Sequence, residues 1–388
     1  MLKVLLLIAA LTAPDAYERG RIVDRLATQR DPAVTYAYYL PAAYDPAKKW
    51  PVLYVFDPAK RGSLGAELFR DAAESYGWIV VSSNDTDSSA NWTPNAHAIE
   101  AMWADVHRRF AVDERREYAA GMSGGAMMAW MLGKKSGTMA GVMGCSGRLA
   151  TERDTAGIAF DWFGTAGNAD FNYSETRRIE AALAAKNAVY RVEIFEGGHS
   201  WPPAGMLRDA VEWMELQAMR RGTRSPDPQW VARMLSNDLA AAAALERDGR
   251  DLDAMRRYEA IVRSFGALAD TQEAARRAAG LRSRDSVKRA LRIEARGAEF
   301  EAGALRRMSL AIQQFAGTDD ELPATLVQQL DLPHLRKMAD GSDYDALVAK
   351  RVLFVTRVSL RRLADSLESD GRTARAASVR QVAQDVMP

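Results

Sequence analysis

Cysteine is almost absent: Cys145 is the only one in 388 residues. An intramolecular disulfide and a cysteine-rich metal site are both excluded. Cys145 stands in the apolar run VMGCSG, where a small buried hydrophobe is the expected reading. Histidine is nearly as scarce, with four in the chain. Excess charge of one sign is also missing, since the formal net charge is +1. That removes any global pull toward nucleic acid or an anionic membrane surface. There is no HExxH, no P-loop and no strand-borne G-x-G-x-x-G, so neither a metal nor a nucleotide cofactor is expected.

Long hydrophobic runs are absent as well, apart from the start. MLKVLLLIAALTAPDA sets one lysine before about ten apolar residues and then small residues, the layout of a secretory signal peptide over residues 1–16. It is too short for a stable membrane span. The expectation is a periplasmic or secreted protein without stable membrane insertion. What remains is 48% hydrophobic and 27% charged, ordinary for a chain that buries a core.

From about residue 30 to 222, short apolar runs alternate with amphipathic stretches. Val34–Leu40, Val52–Phe56, Trp78–Ser82, Tyr118–Met122, Gly141–Cys145, Phe160–Gly164 and Val192–Phe195 read as strands. Leu64–Tyr76, Ala96–Phe110, Ala126–Lys135, Ser174–Asn187 and Met206–Arg221 read as helices. VLYVF and WIVV are apolar on both faces, which suits central strands of a parallel sheet. The alternation predicts an α/β class, a mostly parallel, doubly wound sheet. GTRSPDPQW, with Pro226 and Pro228, reads as a linker. Beyond it the sequence turns Ala-, Arg- and Leu-rich with helical spacing. Two stretches read as helical hairpins turning at Gly249 and Gly371. They weakly resemble tetratricopeptide-type repeats, and a generic α-bundle fits equally. The expected organisation is thus 17–222 as an α/β domain and 223–388 as an all-α domain. The latter is a candidate surface for a protein partner or self-association.

Gly121-Met122-Ser123-Gly124-Gly125 lies between a strand-like and a helix-like segment. G-x-S-x-G carries meaning in that context, because a sharp strand-to-helix turn presents the serine at the start of a helix. Backbone N–H groups and the helix dipole there favour a developing oxyanion, with the Gly124 N–H as donor. A nucleophilic serine needs a base. His107 is expected on a solvated helix face, His97 near the start of the same helix, and His334 in the helical region. His199, in EGGHSWPP between the last strand and the last helix of the α/β part, is the candidate base. The acid should lie between the two, and Asp170 in the loop after Phe160–Gly164 is favoured. Asp161, Asp154 and Glu196 are weaker alternatives. Trp92, Tyr173 and Trp201, with Phe171, lie on expected loops and either line a substrate pocket or simply pack those loops.

YAYYLPAAYDPAKKWPVLYVFD, FAVDERREYAAGMSGGAMMAW, FGTAGNADFNY and GGHSWPP occur in this order. Together they resemble the α/β-hydrolase branch that includes polyhydroxybutyrate depolymerases, feruloyl and acetylxylan esterases and esterase D-like proteins. The resemblance covers most of residues 33–221. It implies a cofactor-free serine esterase cleaving small-molecule or polymer-linked esters, with Ser123 as nucleophile, Asp170 as acid and His199 as base. Peptidase or amidase activity on the same fold, or a degenerate hydrolase acting as a scaffold, are the competing readings. Two positions depart from the family. Its frequent His-Gly pair is replaced by Asp57-Pro58-Ala59, so that Ala59 N–H becomes the expected second oxyanion donor, Pro58 having none. Asp170 also comes late after the strand, leaving Asn168 as a competitor for its position. With no long insertion to act as a lid, the site is expected to be open or partly covered by the helical region.

Overall fold

The computed structural model describes residues 17–148, 155–317 and 323–386. The signal-peptide reading falls on residues 1–16, outside the described residues. The strands are β1 (Ile22–Ala27), β2 (Thr35–Tyr39), β3 (Trp50–Phe56), β4 (Ile79–Ser83), β5 (Val112–Met122), β6 (Gly141–Cys145), β7 (Asp161–Gly167) and β8 (Tyr190–Phe195). Between and after them come α1 (Gly62–Tyr76), α2 (Trp92–Arg109), α3 (Gly124–Ser136), α4 (Tyr173–Ala184) and α5 (Ala204–Arg220). The sheet order is β1-β2-β4-β3-β5-β6-β7-β8. β1 and β2 run antiparallel to their neighbours, while β3 pairs parallel with β4 and β5. This is the α/β-hydrolase architecture. A helical region follows it: α6 (Pro228–Arg247), α7 (Asp251–Phe265), α8 (Gln272–Ser283), α9 (Asp285–Gly317), α10 (Pro323–Gln329), α11 (Leu332–Ala339), α12 (Tyr344–Ser369) and α13 (Thr373–Asp385). No helix among the described residues is long and apolar enough to cross a membrane.

By internal contacts the chain groups into two compact units. The first holds residues up to Gly144, Gly157–Trp162 and Pro203–Ala218. The second holds residues 145–148 and 155–156, Phe163–Pro202 and Met219 onward. The loops after β7 and β8 therefore belong to the same unit as the helices α6 to α13.

In the first unit the central strands are apolar on both faces because both faces are covered. Val52 to Phe56 and Ile79 to Val81 are fully buried. β1 was not foreseen. Its residues IVDRLA lie half-exposed at the sheet edge, so they carry little of the apolar signal that marks a central strand. β5 begins six residues earlier than expected, through the charged run DERRE. Burial of Glu117 accounts for part of this: its Oε2 accepts hydrogen bonds from Tyr54 Oη and Trp103 Nε1, each at 3.1 Å. His107, expected on a solvated face, is half-buried instead. Its Nδ1 lies 2.9 Å from the Trp103 carbonyl and its Nε2 3.3 Å from Glu117 Oε1. Burial works against its charge, but Glu117 and that carbonyl outweigh the burial and hold its pKa above the ordinary value.

In the second unit, α6 and α7 form a hairpin turning at Gly249, and α12 and α13 another turning at Gly371; both glycines have positive φ. The core of α9 to α13 is built from leucine, valine and alanine, including the fully buried Leu332, Leu360 and Val379. β8 is tied to α6 by a buried ion pair. Arg191 donates to both oxygens of Asp238 at 2.7 and 2.9 Å, and Arg257 of α7 also reaches Asp238. Burial alone would raise the Asp238 pKa, but the two guanidiniums hold it at about 2. Removing one partner of such a pair leaves a poorly compensated buried charge. Arg191→Met is expected to lower stability by about 3–5 kcal/mol in urea unfolding. Because the folded pKa of Asp238 is depressed, its contribution is complete above its ordinary 3.8 and is lost as pH falls toward about 2. Acid titration of wild-type and Asp238→Asn stability checks this: the gap between them should close across that window.

Candidate active site

Ser123 sits between the end of β5 and the first residue of α3, with φ +56° and ψ −120°. A non-glycine residue at positive φ is strained and persists only where its surroundings force it. Here the neighbouring glycines show how tight those surroundings are. A Cβ on Gly121 would lie 2.1 Å from the Gly125 carbonyl oxygen, and one on Gly125 would lie 1.9 Å from the Phe56 carbonyl oxygen at the end of β3. Helix α3 is thus pressed directly against the strand ends, and the chain turns at Ser123 within one residue. Ser88 closes over Gly124, where an added Cβ would come within 2.5 Å of the Ser88 Cβ. The Gly124 N–H belongs to the first turn of α3, whose backbone donors have no intrahelical partner.

The expected second donor is taken by another group. Ala59 N–H donates to Asp57 Oδ1 at 2.9 Å. Asp57 is fully buried and also accepts from Arg61 Nε and Nη2 at 2.8 and 2.9 Å. One N–H bonded to a buried carboxylate is not at the same time free for an oxyanion, so Ala59 is corrected from donor to part of the Asp57 loop.

In the second unit, Asp170 and His199 are brought together. His199 Nδ1 lies 2.9 Å from Asp170 Oδ1, with Asp170 fully buried and the His199 side chain 15% exposed. Asp170 Oδ1 also accepts from Asn172 N–H at 2.8 Å, whereas Oδ2 receives no hydrogen bond among the described residues. The carboxylate charge is therefore directed at the imidazole and one backbone donor.

The two loops are joined by their backbones. Asn168 N–H donates to the Phe195 carbonyl and Ala169 N–H to the Gly197 carbonyl, both at 2.9 Å. Asn168 Oδ1 accepts from Gly197 N–H at 3.1 Å. Asn168 thus holds the loop pair together, and it is Asp170 that meets the imidazole. A side chain at Gly167 would strike the Gly197 carbonyl oxygen at 2.3 Å, so the approach needs glycine.

Ser146 was not foreseen. It is fully buried with φ +50°, and it connects three segments. Its N–H donates to the Thr165 carbonyl at 2.7 Å, its hydroxyl donates to the Ser200 carbonyl at 2.9 Å, and its carbonyl accepts from Asn172 Nδ2 at 2.8 Å. A lone serine after an apolar run carries no signal of such a role.

The remaining sites fall as follows. Among the weaker acid alternatives, Asp161 opens β7, Glu196 is exposed and Asp154 lies outside the described residues. His97 Nε2 is 2.7 Å from Asp31 Oδ2, and His334 is exposed on α11. Trp92 begins α2 and is 39% exposed; Trp201 is half-buried two residues after His199. Tyr173 is buried rather than open. Arg177 and Arg351 approach its ring at 5.4 and 4.7 Å from the centroid, and its hydroxyl donates to Glu294 at 3.3 Å. It also borders a cavity of about 780 Å³ together with Arg177, Glu180, Arg256 and Glu294. Arg177 pairs with Glu180 and Arg256 with Glu294, so these charges neutralise one another.

The sheet order and the Ser123 turn give the chain an α/β-hydrolase fold, with a helical region following it. Neither a protein-family model nor a curated protein sequence matches it. Solved structures similar to it include a ferulic acid esterase, at 16% identity and TM-score 0.43, covering 51% of this chain and 98% of that one. Fluorophosphonate-binding serine hydrolase F of Staphylococcus aureus is similar at 14% identity and TM-score 0.42, covering 51% and 99%. S-formylglutathione hydrolase of Staphylococcus aureus is similar at 15% identity and TM-score 0.42, covering 51% and 98%. The likeness extends over about half of this chain.

Gly125→Ala is expected to push α3 away from β3, lowering stability by about 1–3 kcal/mol. Because the displaced element carries Ser123, thermal unfolding should shift downward together with a slower reaction of Ser123 toward a fluorophosphonate probe.

Proposed function

We propose that this protein is a serine hydrolase that cleaves carboxylic esters through an acyl-enzyme, with Ser123, His199 and Asp170 as nucleophile, base and acid. The observation that carries the reading is the strained Ser123 at the first turn of α3, within G-x-S-x-G. The 2.9 Å bond between His199 Nδ1 and Asp170 supports it, because an orienting acid on Nδ1 leaves Nε2 to exchange the serine proton. The chain order nucleophile, acid, base is the one this fold uses.

In the proposed cycle, Ser123 Oγ attacks the ester carbonyl carbon as its proton passes to His199 Nε2. The negative charge moves to the carbonyl oxygen, where the Gly124 N–H donates to it. Asp170 stabilises the imidazolium that forms. The tetrahedral intermediate collapses, the C–O bond to the leaving alcohol breaks, and His199 gives its proton to that oxygen. Water then attacks the acyl-enzyme by the same route in reverse, returning the acid product and free Ser123. With Ala59 N–H bonded to Asp57, Gly124 is the backbone donor on which the reading relies. The apolar leader over residues 1–16 supports placing the reaction in the periplasm or outside the cell.

Ser123→Ala is expected to abolish turnover of short-chain aryl esters and labelling by a fluorophosphonate; labelling of that variant at the wild-type level would sink the assignment. Asp170→Asn should lower kcat by up to about 10⁴-fold, because Asn favours the wrong imidazole tautomer. Rates on matched ester and amide substrates separate an esterase from a peptidase.

A further inference from the structure

The helical region reaches the acid and base loops directly, within the second compact unit. Arg351 of α12 is fully buried. Its Nη1 donates to the Asn168 carbonyl at 2.9 Å, two residues before Asp170. Its Nε and Nη2 lie 3.1 and 3.0 Å from Glu301 Oε2 on α9. The same Glu301 oxygen accepts from the Ser174 hydroxyl at 2.7 Å, four residues after Asp170. One buried ion pair therefore grips the acid loop on both sides of the acid. Its guanidinium also stands over the rings of Tyr173 and Tyr344, 4.7 and 5.5 Å from their centroids.

Phe354 lies one turn along the same helix. It stacks on Phe171 with ring centroids 5.1 Å apart and planes 10° apart. Phe171 in turn lies 4.2 Å from the His199 ring, and Phe354 itself 6.4 Å from it. The imidazole thus lies against Phe171 of the Asp170 loop, and Phe354 of α12 stacks on that ring.

We propose that α12 is a working part of the site, with Arg351 as a positioning residue for Asp170 and Phe354 as one for the His199 ring; this rests on the reading of Asp170 and His199 as acid and base. A buried ion pair is a poor means of gaining stability, since well-packed apolar side chains of similar volume do as well or better. What the guanidinium supplies instead is direction: a planar fork with fixed donors sets where the Asn168 carbonyl and the Glu301 carboxylate must lie. A displacement of about 1 Å at a reacting group can lower the rate about 100-fold, so a grip two residues from the acid bears on turnover.

The test compares full-length Arg351→Met, Arg351→Lys and Phe354→Leu with wild type. It measures kcat and KM on a short-chain aryl ester, urea unfolding, and the downfield proton resonance of the His199 Nδ1–H bonded to Asp170. Arg351→Met should lower kcat about 10- to 100-fold with KM changed less than about twofold, and should shift or abolish the resonance. Arg351→Lys, which keeps a charged donor for the Asn168 carbonyl, should recover part of both. Wild-type kcat and an unchanged resonance in folded Arg351→Met, whatever its stability, would overturn the proposal. If Arg351→Met does not fold, Phe354→Leu decides by the same two readouts. If wild type hydrolyses no ester, the esterase reading fails, while the resonance still reports whether Arg351 positions the pair.

Discussion

A carboxylate removed from water needs partners, and the fully buried Asp170 draws together the loops after β7 and β8 for that reason. Its own loop provides the Asn172 N–H, and the loop after β8 provides the His199 imidazole. Those partners require two loops to meet at backbone distance, which in turn requires glycine at 167 and the cross-loop bonds of Asn168 and Ala169. Ser146 then joins Thr165, Asn172 and Ser200 into one network. Arg351 and Glu301 fasten the outer side of the same loop. Each contact is ordinary alone; their common effect is to leave Asp170 with few alternative positions.

The serine turn in the first unit answers to a different constraint, which is steric. Gly121 lets β5 approach α3, and Gly125 lets α3 approach β3, to distances that no Cβ would tolerate, and the turn between strand and helix is left to Ser123 at positive φ. The Asp57 loop shows how one buried carboxylate commits its neighbours. The buried Asp57 takes up the Ala59 N–H and the Arg61 guanidinium. The loop is well satisfied, and a donor that the pattern suggested is thereby consumed.

Legibility of the fold followed burial. β2, β3, β4 and β6 to β8 were visible as apolar runs because both faces of the sheet are covered, and α1 to α5 as the amphipathic stretches between them. The hairpin turns at Gly249 and Gly371 were visible because a left-handed helix end favours glycine. β1 escaped notice because it lies half-exposed at the edge, and the early half of β5 because its charges mask a strand whose Glu117 is buried. His107 read as solvated because its partner Glu117 is ten residues away on another element. The acid candidate Asp170 was legible by position, and its contact with His199 was not, since 29 residues separate them.

The sequence by itself determined the alternation of strand and helix and the glycine-bounded serine, and singled out His199 as the candidate among four histidines, because local sterics, periodicity and chain order are written in neighbouring residues. Tertiary structure alone decided that Asp170 rather than Asn168 meets the imidazole, that Ala59 N–H is taken by Asp57, and that Arg351 and Phe354 stand against the loops of Asp170 and His199. Those outcomes depend on which polar groups compete for one partner once water is excluded. In the case of α12 the competing groups lie more than 150 residues apart, and no local pattern encodes such a contact.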